Sequence, residues 1–372
     1  MNNEIKKILS NDKFLSHIAE KIEVNERITI DEGLQLYENK NISALAVLAT
    51  EKRRQINQNF VFFNKNFHIE PTNICIHQCR FCSYRRTAQD SDCWDYSIDE
   101  MIEICRKYSA KNVSEVHIVG GVHPNHDLNF YCNLIVEIKK ILPNVHVKAF
   151  TAVELDYMID KVNLSWAEGL QKLKEAGLNS IPGGGAEIFD SEIRTQICHQ
   201  KSDANTWLGI HKTVHELGIM SNASILFGHI ETYKHRINHL AQLRSLQDET
   251  NGFNALIPLK YKNFNNSISE IGEVNDIEVL KNFAVSRIFL DNIPHIKSYW
   301  PMLGKNLAGF ALHFGADDMD GTIDDSTKIY SMAGAEEKNP AMTTDEMIEF
   351  IKNLGFTPVE RDSVYNKLNV FE

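Results

Sequence analysis

Apolar positions along the first 60 residues recur at helical spacing. Thr29-Ile-Asp-Glu32 is a capping-box pattern ahead of Leu34, Leu36 and Tyr37, and a second helix is predicted from Ser43 to Gln55. From residue 61 the pattern changes to short apolar runs alternating with amphipathic stretches. Phe67–Glu70, Glu115–Val119, Val145–Phe150, Leu178–Ile181, Ser221–Phe227 and Phe253–Pro258 read as six strands. Ser286–Leu290 is expected to be a seventh and Leu307–His313 a weaker eighth. Helices are predicted over Asn129–Leu142, from Ser165 to near Gly177, over Asp203–Leu217, Tyr233–Thr250 and Ile277–Phe283, and from Thr343 to near Gly355.

Strands separated by helices of this length require right-handed parallel crossovers. Seven or eight such units in about 250 residues predict an α/β chain folded as a (β/α)8 TIM-type barrel. The expected organisation is a helical extension over residues 1–60, the barrel over 61–315, and a C-terminal extension over 316–372 that closes it. A doubly wound open sheet is the alternative. Chemistry in a barrel collects at the carboxyl ends of the strands. The glycine-rich and polar residues fall there: Cys75 to Cys82, Gly120-Gly121-Val-His123, Thr151 to Glu154, Gly183 to Glu187 and Gly228-His-Ile-Glu231.

Composition narrows the class. Of 372 residues, 43% are hydrophobic and 24% charged, which excludes a disordered chain. No apolar run approaches the ~18 residues that cross a bilayer, and the polar start MNNEIKKILSNDKF lacks a signal-peptide core, so a cytoplasmic location is expected. The net charge of −11 argues against a nucleic-acid or anionic-membrane surface, but a local basic pocket for a small anion remains open. Seven cysteines, an odd number in a long chain, argue against a disulfide framework.

Three of those cysteines fall within eight residues, as Cys75-x3-Cys79-x2-Cys82. Thiolates are soft ligands that favour iron–sulfur clusters, zinc or copper(I). Zinc would want a fourth ligand, and His77 is close by; an iron–sulfur cluster fits the spacing better. A cubane held by three thiolates has one iron open to a small molecule, and such clusters reach very low potentials. Cys93, Cys105, Cys132 and Cys198 have no partner spacing.

With Phe81 just before its last cysteine, this motif resembles the signature of the radical S-adenosylmethionine (SAM) superfamily. The resemblance implies a [4Fe-4S] cluster on Cys75, Cys79 and Cys82 whose free iron chelates the methionine part of SAM. One-electron reduction then yields methionine and a 5′-deoxyadenosyl radical. By the same resemblance, Phe81 and Tyr84 flank the cofactor, and the Gly120-Gly121 backbone meets the methionine amino group. The superfamily usually has Glu after the glycine pair; here Val122 and His123 follow. Glu154 would match the acid on the ribose, and the Ser224–Leu226 segment lies near the adenine.

Six ordered blocks from HIEPTNIC to KIYSMAGA resemble the aminodeoxyfutalosine synthase family of menaquinone biosynthesis. Relatives with the same cysteine motif are the dehypoxanthine futalosine cyclase and the deazaflavin FO synthases. The resemblance implies addition of the radical to 3-[(1-carboxyvinyl)oxy]benzoate. The products are 6-amino-6-deoxyfutalosine, methionine and carbon dioxide or bicarbonate, and an external donor such as flavodoxin or ferredoxin supplies the electron. A primary radical needs a closed site, which the two terminal extensions are expected to provide over the barrel mouth. The substrate's two carboxylates need cationic contacts; Arg80, Arg85, Arg86, Arg194 and Lys201 are the candidates. His229 and Glu187 are candidate proton carriers, and Arg194 is grouped with them as catalytic. Asp320 and Thr322 either close the pocket or form a turn. A zinc-holding scaffold without catalysis is the non-enzymatic alternative.

Overall fold

The computed structural model describes Leu9 and residues 12–321, 327–335 and 340–372. Thr322 lies outside them. Among the described residues, the helices Lys13–Glu23, Ile30–Glu38 and Ile42–Asn57 precede the first strand. The Thr29 capping box forms as predicted, with the Thr29 side chain accepting from the Glu32 N–H and the Glu32 carboxylate accepting from the Thr29 N–H.

Seven parallel strands follow in one curled sheet, in sequence order: β2 Asn66–Ile69, β3 Glu115–Ile118, β4 His146–Ala149, β5 Ser180–Ile181, β6 Met220–Phe227, β7 Phe253–Lys260 and β8 His295–Ile296. A smaller sheet holds β1 Phe60–Asn64, β9 Asp318–Gly321, β10 Thr357–Arg361 and β11 Lys367–Val370, in the order β11-β10-β1-β9. The two sheets are joined. β1 runs into β2 through Lys65, and β9 touches β8 through a parallel bridge between Lys297 and Asp318 while pairing with β1 at Phe62. Asp318–Gly321 thus stands at the β8 edge of the curled seven-stranded sheet, bridged to it through Lys297.

That placement corrects two expectations. Ser286–Leu290 is not a strand: it continues the helix Asp276–Phe289, whose residues from Phe283 to Phe289 are all buried. Leu307–His313 lies on and just beyond the helix Lys305–Leu312. In windows this short, a mostly apolar helical segment and a buried strand read alike, so periodicity could not separate them. The real last strands, His295–Ile296 and Asp318–Gly321, are short and polar.

The N-terminal helices lie elsewhere than expected as well. They pack on the outer helices Tyr233–Thr250 and Asp276–Phe289, where Tyr37 donates to Asn282 at 2.8 Å and a Cβ on Gly33 would meet Ile237. Asn57 reaches the Pro294 carbonyl and Asp317, at the amino end of β8. They therefore cover the flank and base. Among the described residues the mouth is covered by 327–330, in the C-terminal part of the chain.

Alternation along the strands separates core from lumen. Phe67, Ile69, Val116, Ile118, Val147, Ala149, Ala223 and Ile225 are fully buried between sheet and helices. The alternate positions His68, His117, Lys148, Asn222, Ser224 and Lys297 face inward and line a cavity. Burying such groups is costly unless they are paired, and here His68 pairs with His117, Lys148 with Glu115 and Lys297 with Asp320.

Candidate functional site

The cysteine loop leaves the carboxyl end of β2. Asn73 and Arg86 fasten it: the Arg86 N–H donates to the Asn73 carbonyl, and the Cys75 N–H donates to the Arg86 carbonyl. Arg86 itself forms a bidentate pair with Asp92 at 2.7 Å within the loop, and Arg80 donates to the Gln196 carbonyl of the helix Ser191–Cys198. Cys79 is buried, Cys75 and Cys82 are half-buried, and all seven cysteines are free. Burial pushes the Cys75 and Cys79 thiols up.

Gly120 and Gly121 press the β3 loop onto this segment. A Cβ on Gly120 would lie 2.8 Å from the Thr72 carbonyl oxygen, and one on Gly121 only 2.3 Å from that of Ile74. The Gly121 N–H donates to Thr72, and the Val122 N–H donates to Cys75 Sγ at 3.4 Å. Asp95 faces His123 and His126 across the same seam at 3.5 and 3.3 Å.

Glu154 is buried at the start of the helix Ala152–Asp160. One oxygen accepts the Gly120 N–H at 3.1 Å, and the other accepts from the Thr151 N–H and hydroxyl at 2.7 Å. Burial pushes its pKa up to about 7. Phe81, Tyr84, Glu187 and Leu226 line a cavity of about 140 Å³ beside Cys82. Tyr84 donates to the Thr72 carbonyl at 3.2 Å. Glu187, on a left-handed backbone (φ 48°), pairs with Lys201 at 2.6 Å, and Lys201 also stands 5.3 Å over the Phe81 ring. Burial opposes the Lys201 charge, but Cys79 and Glu187 outweigh it and hold the ammonium well above its ordinary range.

A second cavity, about 190 Å³, continues inward and shares Leu259, Ile329 and Tyr330 with the first. Ser224 lines it and donates to the Gly183 carbonyl at 2.5 Å. Its wall carries Lys148, Lys297, His68, His117 and Asn222, which the sequence reading passed over. The signal was present: a polar residue at every second position of FHI, VHI, VKA and SNAS. Over this cavity, Glu70 at the end of β2 accepts from the Thr327 hydroxyl at 2.5 Å and the Lys328 N–H at 2.9 Å, and so holds the cover.

Gly121, Glu154, His229 and Arg194 line neither cavity. His229 places Nε2 3.1 Å from the Leu226 carbonyl and Nδ1 3.1 Å from Glu231, and burial lowers its pKa. Arg194 spends its guanidinium on the carbonyls of Gly185, Ala186, Ile188 and Ser202, clamping the glycine loop from behind. Cys198, at the end of the helix Ser191–Cys198, is buried in the electrostatic field of Cys79 and Lys201. Arg85 lines neither cavity.

The donor set suits an iron–sulfur cluster. Three free cysteines on one loop carry a backbone N–H donor to sulfur and a buried cation nearby, and a ligand-sized void opens beside Cys82.

Comparison with known proteins agrees. Residues 69–243 match the radical SAM superfamily model, and residues 250–372 match the CofH/MqnC C-terminal region. Aminodeoxyfutalosine synthase from Thermus thermophilus is 38% identical over 365 residues, 97% of this chain and 98% of that protein. The Streptomyces coelicolor synthase is 37% identical over 95% of this chain and 94% of its own. A 5-amino-6-(D-ribitylamino)uracil–L-tyrosine 4-hydroxyphenyl transferase from Methanocaldococcus jannaschii is 36% identical over 92% of this chain and 98% of its own. Among solved structures, methylornithine synthase superposes with a TM-score of 0.73 at 15% identity, covering 92% of this chain and 97% of its own, and so shares the fold. With its cysteine loop, curled parallel sheet and near full-length relatives, this chain belongs to the radical SAM enzymes, within the group that includes the aminodeoxyfutalosine synthases.

Proposed function

We propose that this enzyme joins the 5′-deoxyadenosyl group of SAM to 3-[(1-carboxyvinyl)oxy]benzoate, forming 6-amino-6-deoxyfutalosine and releasing methionine and the enol carboxylate as carbon dioxide or bicarbonate. The carrying observation is the pair of adjoining cavities: one opens beside Cys82, the other is a polar lumen with aromatic and aliphatic walls under a fastened cover. Likeness to the two synthases over nearly whole chains supports the same reading.

In this reading Cys75, Cys79 and Cys82 would hold the cluster. When bound, such a cluster supplies one electron at low potential and an open iron for the amine and carboxylate of SAM. An external flavodoxin- or ferredoxin-type donor would deliver that electron. The backbone at Gly120 and Gly121, with Glu154 behind it, shapes the wall that receives the methionine and ribose. Phe81, Tyr84 and Leu226 form the apolar side next to Cys82. Lys201 offsets thiolate charge, and Glu187 orients Lys201. The Thr327–Tyr330 cover, held by Glu70, excludes water and oxygen from a primary carbon radical.

Mass spectrometry of products from the enolpyruvyl benzoate, SAM and dithionite under anaerobic conditions tests the reading. A covalent adenosyl adduct of futalosine type is expected; free 5′-deoxyadenosine as the main product would overturn it. Cys79→Ala should lose iron and visible absorbance, and Cys198→Ala should keep both.

A further inference from the structure

The inner cavity carries a charge pattern of its own. Two lysines line it, Lys148 on β4 and Lys297 just past β8, and Asp320 is the one acid among the described lining residues. Both lysines are almost wholly buried. Each makes one described hydrogen bond: Lys148 to Glu115 at 2.6 Å, Lys297 to Asp320. An ammonium has three donors, so two on each remain for a ligand. Lys297 also stands 4.0 Å from Asp318, and both ammonium groups open onto the same cavity.

Depth and shape add to this. The sheet register sets Lys148 level with His117 and Ser180, one layer inside the rim formed by Gly120, Thr151 and Gly183. Leu259, Ile329 and Tyr330 line both this cavity and the void beside Cys82, and Ile257 and Tyr299 line the inner cavity, the Tyr299 ring 5.0 Å from that of Tyr330. Asp320 holds a left-handed backbone (φ 67°), fixed by its N–H on Asp318 Oδ1 at 2.7 Å, and a Cβ on Gly321 would collide with Asn66. Such strain persists where a side chain must stand in one place.

We propose that Lys148 and Lys297 form a carboxylate subsite at the inner end of the cavity, which takes the ring carboxylate of an aryl enol ether and points its alkene toward Cys82. This rests on the reaction proposed above, in which the ring carboxylate is the end of the substrate farthest from the reacting alkene. Glu115 and Asp320 keep the two ammonium groups oriented while the lumen is empty. The tyrosines and isoleucines hold the ring between the subsite and the reacting end.

The test is equilibrium binding to anaerobic, cluster-loaded enzyme without reductant, so that no turnover occurs. Two ligands are compared: 3-[(1-carboxyvinyl)oxy]benzoate and 2-phenoxyacrylate, which lacks only the ring carboxylate. Wild type should prefer the benzoate by about 10- to 100-fold, the range for hydrogen bonds to a charged group. Lys148→Gln and Lys297→Gln should each lose most of that preference and still bind 2-phenoxyacrylate as wild type does, which also reports an intact fold. Lys297→Gln combined with Asp320→Asn removes both partners of one pair and should lose the preference too. No preference in wild type, or full preference kept in the variants, overturns the subsite. Reductant is then added to wild type. Lysine-dependent binding without an adenosyl adduct would leave the subsite standing and sink the proposed reaction; an adduct with lysine-independent binding would do the reverse.

Discussion

The backbone N–H of Val122 donates to Cys75 Sγ at 3.4 Å. This contact ties the loop after β3 to the first cysteine, and it exists because Gly120 and Gly121 let two backbones meet without intervening Cβ atoms. Any change in the glycine pair is therefore transmitted to a sulfur.

Gly121→Ala tests that coupling. The new Cβ would sit 2.3 Å from the Ile74 carbonyl oxygen, a backbone atom that cannot turn aside. Overpacking of this kind costs about 1–3 kcal/mol. Iron bound per chain and SAM affinity should both fall, read by metal analysis and calorimetry. Unchanged values would mean that the two loops move independently.

Glu154 predicts a pH signature. Its folded pKa of about 7 stands above the ordinary 4.5 because burial disfavours the charge. The folded state then holds more protons than the unfolded state between those values, so stability is lost as pH rises from about 4.5 through 7. At 1.36 kcal/mol per pKa unit the loss is on the order of 3 kcal/mol. Urea unfolding of wild type and Glu154→Gln at pH 5 and pH 8 should show wild type losing more stability across the interval. Parallel changes in the two proteins would refute the assignment.

Arg194 should matter for folding and little for substrate. Its guanidinium serves four carbonyls, three of them in the loop after Gly184. Removing a donor from buried acceptors costs about 1–3 kcal/mol each, with incomplete additivity. Arg194→Met should lower the unfolding midpoint strongly while the folded fraction keeps the KM for the enol ether. A large KM change at normal stability would instead put this arginine on the substrate.

Glu70 governs the cover. Its Oε1 gathers the Thr327 hydroxyl and the N–H groups of Lys328 and Ile329. Glu70→Ala removes all three contacts at once. Amide exchange over 327–330 should rise at least tenfold, and more turnovers should end as free 5′-deoxyadenosine, because an open site lets the radical be quenched. Normal exchange with normal product yield would show that the cover is held elsewhere.

Some of this was legible in the residues. The capping patterns at Thr29, Ser165 and Thr343 formed as predicted, because a cap needs only side chains three residues apart. The helix Tyr233–Thr250 has its expected limits. The cysteine loop, the Gly120-Gly121 turn and the Glu154 helix start all sit at strand ends. Chemistry written as short local motifs can be read locally.

Other features could not be read that way. His229 and Arg194 stand where a motif would place catalytic groups, but burial and hydrogen bonds turn them onto carbonyls. Of the basic residues next to the cysteines, Arg86 is spent on the loop itself and Arg80 on the Gln196 carbonyl of a neighbouring helix. Ser286–Leu290 and Leu307–His313 read as strands because each is a short, mostly apolar window of a helix: the first is buried through Phe289, and the outward position of the second is Phe310, 58% exposed, so neither window shows a polar face.

The sequence by itself determined the local pieces: which segments cap and coil, where three thiols gather, where glycines permit backbones to touch. Only the tertiary structure decided that Lys148 and Lys297, 149 positions apart by number, share one cavity wall. It also decided that Asp318–Gly321 pairs with β1 at the β8 edge of the curled sheet. Strand pairing at long separation is set by closure of the sheet and by which face of each strand must be dry, and a single chain read in order carries neither constraint.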